Sequence, residues 1–227
     1  MSGLRYLGID TSGSVAAVAL YDTEQDVFLS QQCLYTKKTH SQVILPLVER
    51  MLQDCDCTCQ DLDGIAVAVG PGSYTGLRIG VAAVKAMTFA LQIPCFGIST
   101  LESLAYQAAT TDGLCSPVMQ ARQNLVYAGL YACQNGVLQA IVPDGLYDKT
   151  EWAEKLQQQN APVLVTGDAA GQFAAASIRI APASVRLQNG TGLCLAAKHH
   201  TPQTPEQLEA NYLQLVKAEK DRQQAAK

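Results

Sequence analysis

Two short segments carry side chains and glycines that could handle an anion. Asp10-Thr11-Ser12-Gly13-Ser14 closes an apolar run and opens a turn. A carboxylate there can serve a metal-bound phosphate, and small neighbours let backbone N–H groups approach phosphate oxygens. Thr11 stands where a glycine would permit the closest approach, and Asp, Ser and Gly between two strands are equally ordinary turn residues. The second segment, Gly70-Pro71-Gly72-Ser73-Tyr74-Thr75-Gly76-Leu77-Arg78-Ile79-Gly80, reads as a strand-to-helix turn with Ser73 or Thr75 placed to cap the helix. A helix N-terminus behind a glycine loop can bind an anion, but no Lys-Ser or Lys-Thr pair is present, so this is no Walker-type loop. Asp10, Thr11, Ser12, Gly70, Gly72 and Ser73 are the candidate nucleotide or phosphate loop.

The remaining reactive side chains assemble no catalytic set and no metal centre. His40 begins a helix and reads as a capping or interface residue rather than a ligand, because Ile44 stands one turn later. His199 and His200 are adjacent, point in different directions on a helix and are expected to face solvent. The cysteines at 33, 55, 57, 59, 95, 115, 133 and 194 include no C-x-x-C pair, and in apolar runs a thiol behaves as a small hydrophobe. Cys55, Cys57 and Cys59 alternate, but beside Asp54, Asp56 and Asp61 rather than zinc-spaced ligands, which favours a plain loop. No Ser, His and Asp are placed as a hydrolytic triad.

The elements that must position these residues follow from periodicity. The chain has 227 residues, 48% of them hydrophobic, enough for a core without disulfides or metals. A net charge of -4 gives no broad electropositive footprint, so an RNA ligand would have to be held largely by something else. The first ten residues resemble no leader and no run reaches the ~20 apolar residues of a membrane span, so a soluble, cytoplasmic protein without a membrane partner is expected.

Strands are expected at 4–9, 15–21 and 27–35, a helix at 41–53, a strand at 64–69, a helix from the glycine turn to about Leu91, a strand at 94–98 and a helix at 100–109. The second half repeats the order: strands at 117–121, 125–133 and 137–142, the last two joined by an Asn135-Gly136 hairpin signal, then a helix at 149–159, a strand at 163–166, a helix at 169–176, a strand at 178–180 and a helix at 192–199. A final amphipathic segment, 205 to about 222, opens with Thr204 as N-cap and Pro205 in the first turn. The reading is an α/β protein of two tandem βββαβαβα subdomains, 1–110 and 111–204, followed by a C-terminal helix and frayed tail over 205–227. That element order describes the actin-like ATPase (ASKHA) fold, whose two halves usually meet at a nucleotide cleft. Fold alone licenses no function.

The helix behind the glycine turn is apolar around almost its whole circumference: between Leu77 and Leu91 only Arg78, Lys85 and Thr88 interrupt among larger side chains. Such a helix must be buried all round, and a domain this size has little to cover its outer side. Either the 41–53 helix covers it alone or a partner does. The partner reading assigns the interface to His40, Ile44, Leu47, Val48 and Met51 on the first helix and Ile79, Ala82, Ala83, Ala86, Met87 and Ala90 on the second, and expects a homodimer where the partner is missing.

Ile9-Asp10-Thr11-Ser12, His40-Ser41-Gln42, Leu45-Pro46, the Gly70–Gly80 run and Lys85 resemble the TsaB (YeaZ) family. The resemblance continues more thinly through Ala121-Arg122, Val126-Tyr127, Tyr212-Leu213 and Val216, with Gln120 in place of the family's Asp and Gln214 in place of its Arg. It implies a non-catalytic subunit working with a TsaD-like catalytic paralogue and a TsaE-like ATPase, which transfer a threonylcarbamoyl group to adenosine 37 of tRNAs reading codons that begin with A. It further implies tRNA contact through the complex, with no cofactor required by this chain and ATP or ADP at the subunit junction. Where the paralogue carries a His-x-x-x-His metal pair, this sequence has Thr100 and Leu104. The rival readings are a stand-alone actin-like phosphotransferase, for which Thr166–Gly171 would be the second phosphate loop with Asp168 a base or simply a helix N-cap, and a metal-independent peptidase.

Overall fold

The computed structural model describes residues 4–35 and 39–213. Arg5–Asp10 (β1), Val15–Asp22 (β2) and Val27–Tyr35 (β3) form an antiparallel meander. β2 is buried along its whole length while β3 alternates at the sheet edge. His40–Asp54 (α1), Gly64–Gly70 (β4), Tyr74–Leu91 (α2), Cys95–Ser99 (β5) and Thr100–Ala108 (α3) follow. β4 runs parallel to both β1 and β5, giving the order β3-β2-β1-β4-β5. The second half supplies Gly113–Gln120 (β6), Leu125–Gln134 (β7), Val137–Asp148 (β8), Lys149–Gln157 (α4), Val163–Thr166 (β9), Ile178–Ile180 (β10), Ala183–Arg186 (α5) and Thr191–Ala197 (α6). Its sheet runs β10-β9-β6-β7-β8, the first sheet's order with each strand replaced by its counterpart. Two copies of one sheet, each with helices after its parallel strands, make this the actin-like ATPase fold.

The layers explain where the core sits. On one face of the first sheet Leu7, Ile9, Val18, Leu20, Ile65 and Val67 meet Ile44, Val48 and Met51 of α1 and Val81 and Val84 of α2. On its other face Ala66, Ala68, Phe96 and Ile98 meet Leu193, Ala196 and Ala197 of α6. The second sheet packs Val118, Val126, Leu130 and Val165 on Trp152 and Leu156 of α4, and its opposite face receives α3 through Leu101, Leu104 and Met119 and through Ala105, Ala108 and Cys115. α3 and α6 therefore form a middle layer between the sheets. Each half contributes one helix to it, and α6 from the second half lies on β1 and β2 of the first.

Asn135 and Gly136 both take positive φ (52° and 75°), as a tight hairpin turn requires. Three expectations are corrected. Residues 169–176 hold a single 3-10 turn, Ala170–Phe173, in place of a helix. β8 runs on to Asp148 past Pro143, which it tolerates as an edge strand whose pairing with β7 is broken by irregularities at Ala128/Leu130 and Leu130/Tyr131. Residues 205–213 are a turn and irregular chain, not the start of a helix, because the segment is tied to the first sheet: Gln203 just before it exchanges hydrogen bonds with Cys95, and Asn211 N–H donates to the Val69 carbonyl at 2.7 Å. Residues 214–222 of that expected helix, with Gln214, lie outside the described residues.

Candidate functional site

The candidate phosphate loops come together, at the carboxyl ends of β1 and β4, and they close on each other. Ser73 N–H donates to the Ser12 carbonyl at 2.7 Å, and Gly76 N–H donates to Ser73 Oγ at 3.3 Å. Two donors that an anion at the start of α2 would draw on are thus engaged by the chain itself. Thr11 Oγ1 donates to the Gly76 carbonyl at 2.7 Å, and any side chain at Gly76 or Gly80 would collide with Thr11. Those glycines therefore serve a close approach of α2 to the first loop. Asp10 is fully buried. One of its oxygens takes the Ser12 N–H at 2.8 Å and hydroxyl at 2.6 Å, and the other is buried without a partner. Burial pushes this carboxyl above its ordinary range, against the opposing pull of the Ser12 bonds. Gln188 covers the loop, its Nε2 donating to Ser12 Oγ at 3.4 Å.

The counterpart position in the second half, the end of β6, is Gln120. Its N–H donates to Asp168 Oδ1 at 2.7 Å, and its Oε1 accepts from Lys149 Nζ and Gln172 Nε2, both at 3.0 Å. Asp168 is thereby tied to β6 rather than capping a helix. The loop that a stand-alone phosphotransferase would need is cross-braced through Gln120 by Asp168, Lys149 and Gln172.

The metal-pair positions lie in the middle layer. Leu104 is buried against Leu101 and Met119, and Thr100 is fully buried with its hydroxyl unpartnered. Among the described residues no group of three or more His, Cys, Asp or Glu could hold a metal ion. Cys57 is buried and its thiol points to the Cys55 carbonyl at 3.2 Å, while Asp61 accepts from Thr58 N–H and hydroxyl to close a 3-10 turn at Cys59–Asp61.

Sequence reasoning missed a polar cluster at the start of α3. Ser99 caps the helix and also bonds Asp144 of β8, and Tyr131 donates to the same carboxylate at 2.6 Å. Burial raises the Asp144 carboxyl above its usual range, partly offset by the bonds from Ser99 and Tyr131. His200, expected to face solvent, lies 3.0 Å from Glu102 of α3, whose hydrogen bond raises the imidazole's pKa against partial burial. His199 is exposed and stacks on Tyr106. Only pairings across 13 to 98 positions reveal this cluster, and no local pattern encodes it.

The assigned interface residues divide sharply. Ile44 (1% exposed), Val48 (3%) and Met51 (0%) belong to the chain's own core, a correction to their place in a partner surface: the face of α1 that carries them is the one the sheet takes. Leu47, Ile79 and Met87 are half-buried at the margin of that core; Ala83 is half-buried too, as is His40, whose partial burial lowers the imidazole's pKa. Ala82, Ala86 and Ala90 are exposed in a row at four-residue spacing along α2, flanked by Phe89 (64%), with Leu45 (48%) exposed on α1. α2 turns Leu77, Val81, Val84 and Thr88 inward, so its outer ridge is small and apolar, with no covering element among the described residues.

A family model described as "TsaD: tRNA N6-adenosine threonylcarbamoyltransferase" matches residues 31–191. The chain is 44% identical over 161 residues to the tRNA threonylcarbamoyladenosine biosynthesis protein TsaB of Bacillus subtilis (strain 168), covering 71% of this chain and 69% of that protein. It is 28% identical over 167 residues to the Escherichia coli (strain K12) protein of the same name, covering 72% and 71%. The solved structure of YeaZ from Pseudomonas aeruginosa superposes with a TM-score of 0.78 over 92% of this chain and 100% of that one, at 23% identity, a likeness of fold.

Proposed function

The chain belongs to the TsaB family, within the wider set matched by the TsaD model, and from that premise we propose that it is a non-catalytic scaffold in tRNA threonylcarbamoyladenosine biosynthesis. It docks a TsaD-like catalytic subunit and, with a TsaE-like ATPase, supports N6-threonylcarbamoylation of adenosine 37 in tRNAs reading codons that begin with A. The observation that carries this reading is the outer ridge of α2. Ala82, Ala86, Ala90 and Phe89 are exposed, and a ridge of small residues lets a second helix approach closely, where Phe89 adds a large apolar contact. Two supporting features concern the loops. The closed contact between residues 10–12 and 70–76 and the braced Gln120 leave little for phosphate chemistry in this chain alone, so ATP or ADP would be held at the junction with the partner. The role places the protein in the cytoplasm, and the same ridge would pair two copies when no partner is present.

Reconstitution tests the reading. The purified chain alone is expected neither to hydrolyse ATP nor to modify tRNA, and to restore modification when its TsaD-like and TsaE-like partners are added. Modification by the chain alone at the rate of the full set would make it the enzyme.

A further inference from the structure

The outer ridge of α2 ends at a cavity of about 440 Å³ between the last turn of the helix and the strap formed by residues 202–206. Phe89 forms one wall, and Ile93, Pro94, Pro202 and Pro205 form others. Prolines offer no N–H, and several of the donors that line the space are engaged within the chain. Thr88 Oγ1 donates to the Val84 carbonyl at 2.7 Å, Gln92 Nε2 to the Phe89 carbonyl at 2.6 Å, and Thr204 N–H to Gln207 Oε1 at 2.9 Å. What the rim presents is an acceptor, the exposed carboxylate of Glu206. Its pKa is held below the usual range by the Thr204 hydroxyl and its own N–H, with Lys85 contributing through space. Among the described residues Glu206 has no ion-pair partner. Apolar walls, an aromatic face and an anionic rim fit an aliphatic stem ending in a cation, which gains contact along the stem, from the ring face and from the carboxylate.

Resting on the docking role of α2, we propose that this cavity anchors the interface by receiving an arginine or lysine side chain from a helix of the TsaD-like partner. The strap is then part of the binding surface rather than a structural tie alone.

The test is the dissociation constant of the full chain with its TsaD-like subunit, by titration calorimetry at two salt concentrations, for wild type, Phe89→Ala, Glu206→Gln, Glu206→Lys and Ala86→Arg. Phe89 and Glu206 are exposed, so all three cavity variants should melt like wild type. Expected are a loss of about tenfold or more for Phe89→Ala and for Glu206→Lys, a smaller loss for Glu206→Gln, and a weaker salt dependence in the Glu206→Gln complex. Glu206→Lys binding as tightly as wild type would overturn the cationic occupant. If every cavity variant binds within about twofold of wild type while Ala86→Arg loses binding, the cavity is no anchor and the docking role stands. If Ala86→Arg also binds normally, the docking role itself falls.

Discussion

α2 and α3 invert what their compositions suggest. α2 is apolar around nearly its whole circumference, yet Ala82, Ala86, Phe89 and Ala90 face outward. α3 carries Thr100, Glu102, Ser103 and Gln107, yet all but Glu102 of its nine residues are buried, because it lies between two sheets. Gln107 finds distant partners: its Nε2 donates to the Val185 and Leu187 carbonyls at 3.0 and 2.7 Å, and its Oε1 takes Asn189 N–H. Buried polar groups satisfied from other elements fix how those elements sit, whereas an apolar face left open is a surface kept for something else. The middle helix holds the halves together, and on the proposed reading the outer helix is kept for a partner.

The comparison can be broken most strongly at α3. Leu104→Ala should lower the unfolding free energy by about 2–5 kcal/mol in urea melts, as for a fully buried leucine that leaves a cavity; a loss under ~1 kcal/mol would mean the middle layer is not close-packed. Ala86→Arg should do the reverse, changing stability by no more than about 0.5 kcal/mol while abolishing association with the TsaD-like subunit in a pull-down. Gln107→Ala should cost about 1–3 kcal/mol, since it leaves buried carbonyl and N–H groups of the 185–189 segment unpaired. The smallest effect is on pH. The folded pKa of His200 lies above its unfolded value because of Glu102, so its contribution is fully present below about pH 6.5 and is lost as pH rises through the raised folded pKa. Both side chains are partly solvated, which keeps this contribution to roughly 1 kcal/mol or less. Urea melts across pH 5 to 9 should show the slope in wild type and lose it in His200→Gln.

Much of the fold was legible because strand alternation and helix spacing are local. The meander, the Asn135-Gly136 hairpin and the duplicated order all follow from short-range pattern. The buried all-round character of α3 was not, because the partners of Ser99, Glu102 and Gln107 lie in segments near 144, 200 and 186 that no window around residue 100 contains. Ile44, Val48 and Met51 were read as partner-facing for a related reason: spacing gives an apolar face but not the side on which the sheet lies. The 203–213 segment carries helix signals at Thr204 and Pro205, and its backbone is claimed at Gln203 by Cys95 and at Asn211 by Val69. At the candidate site Thr11 and Ser12 meet Ser73 and also Gly76, which the sequence did not single out for the loop. That they meet closely enough to close on each other depends on the approach of α2, which only the fold supplies.

Amide hydrogen exchange of the full chain, with and without the TsaD-like subunit, tests the central claim most directly. Residues 78–91 of α2 should gain protection on addition of the partner, while α3, already shielded between the sheets, should not change. Protection confined to residues 10–14 and 186–191, with α2 unaltered, would place the partner at the loop cleft and contradict the account.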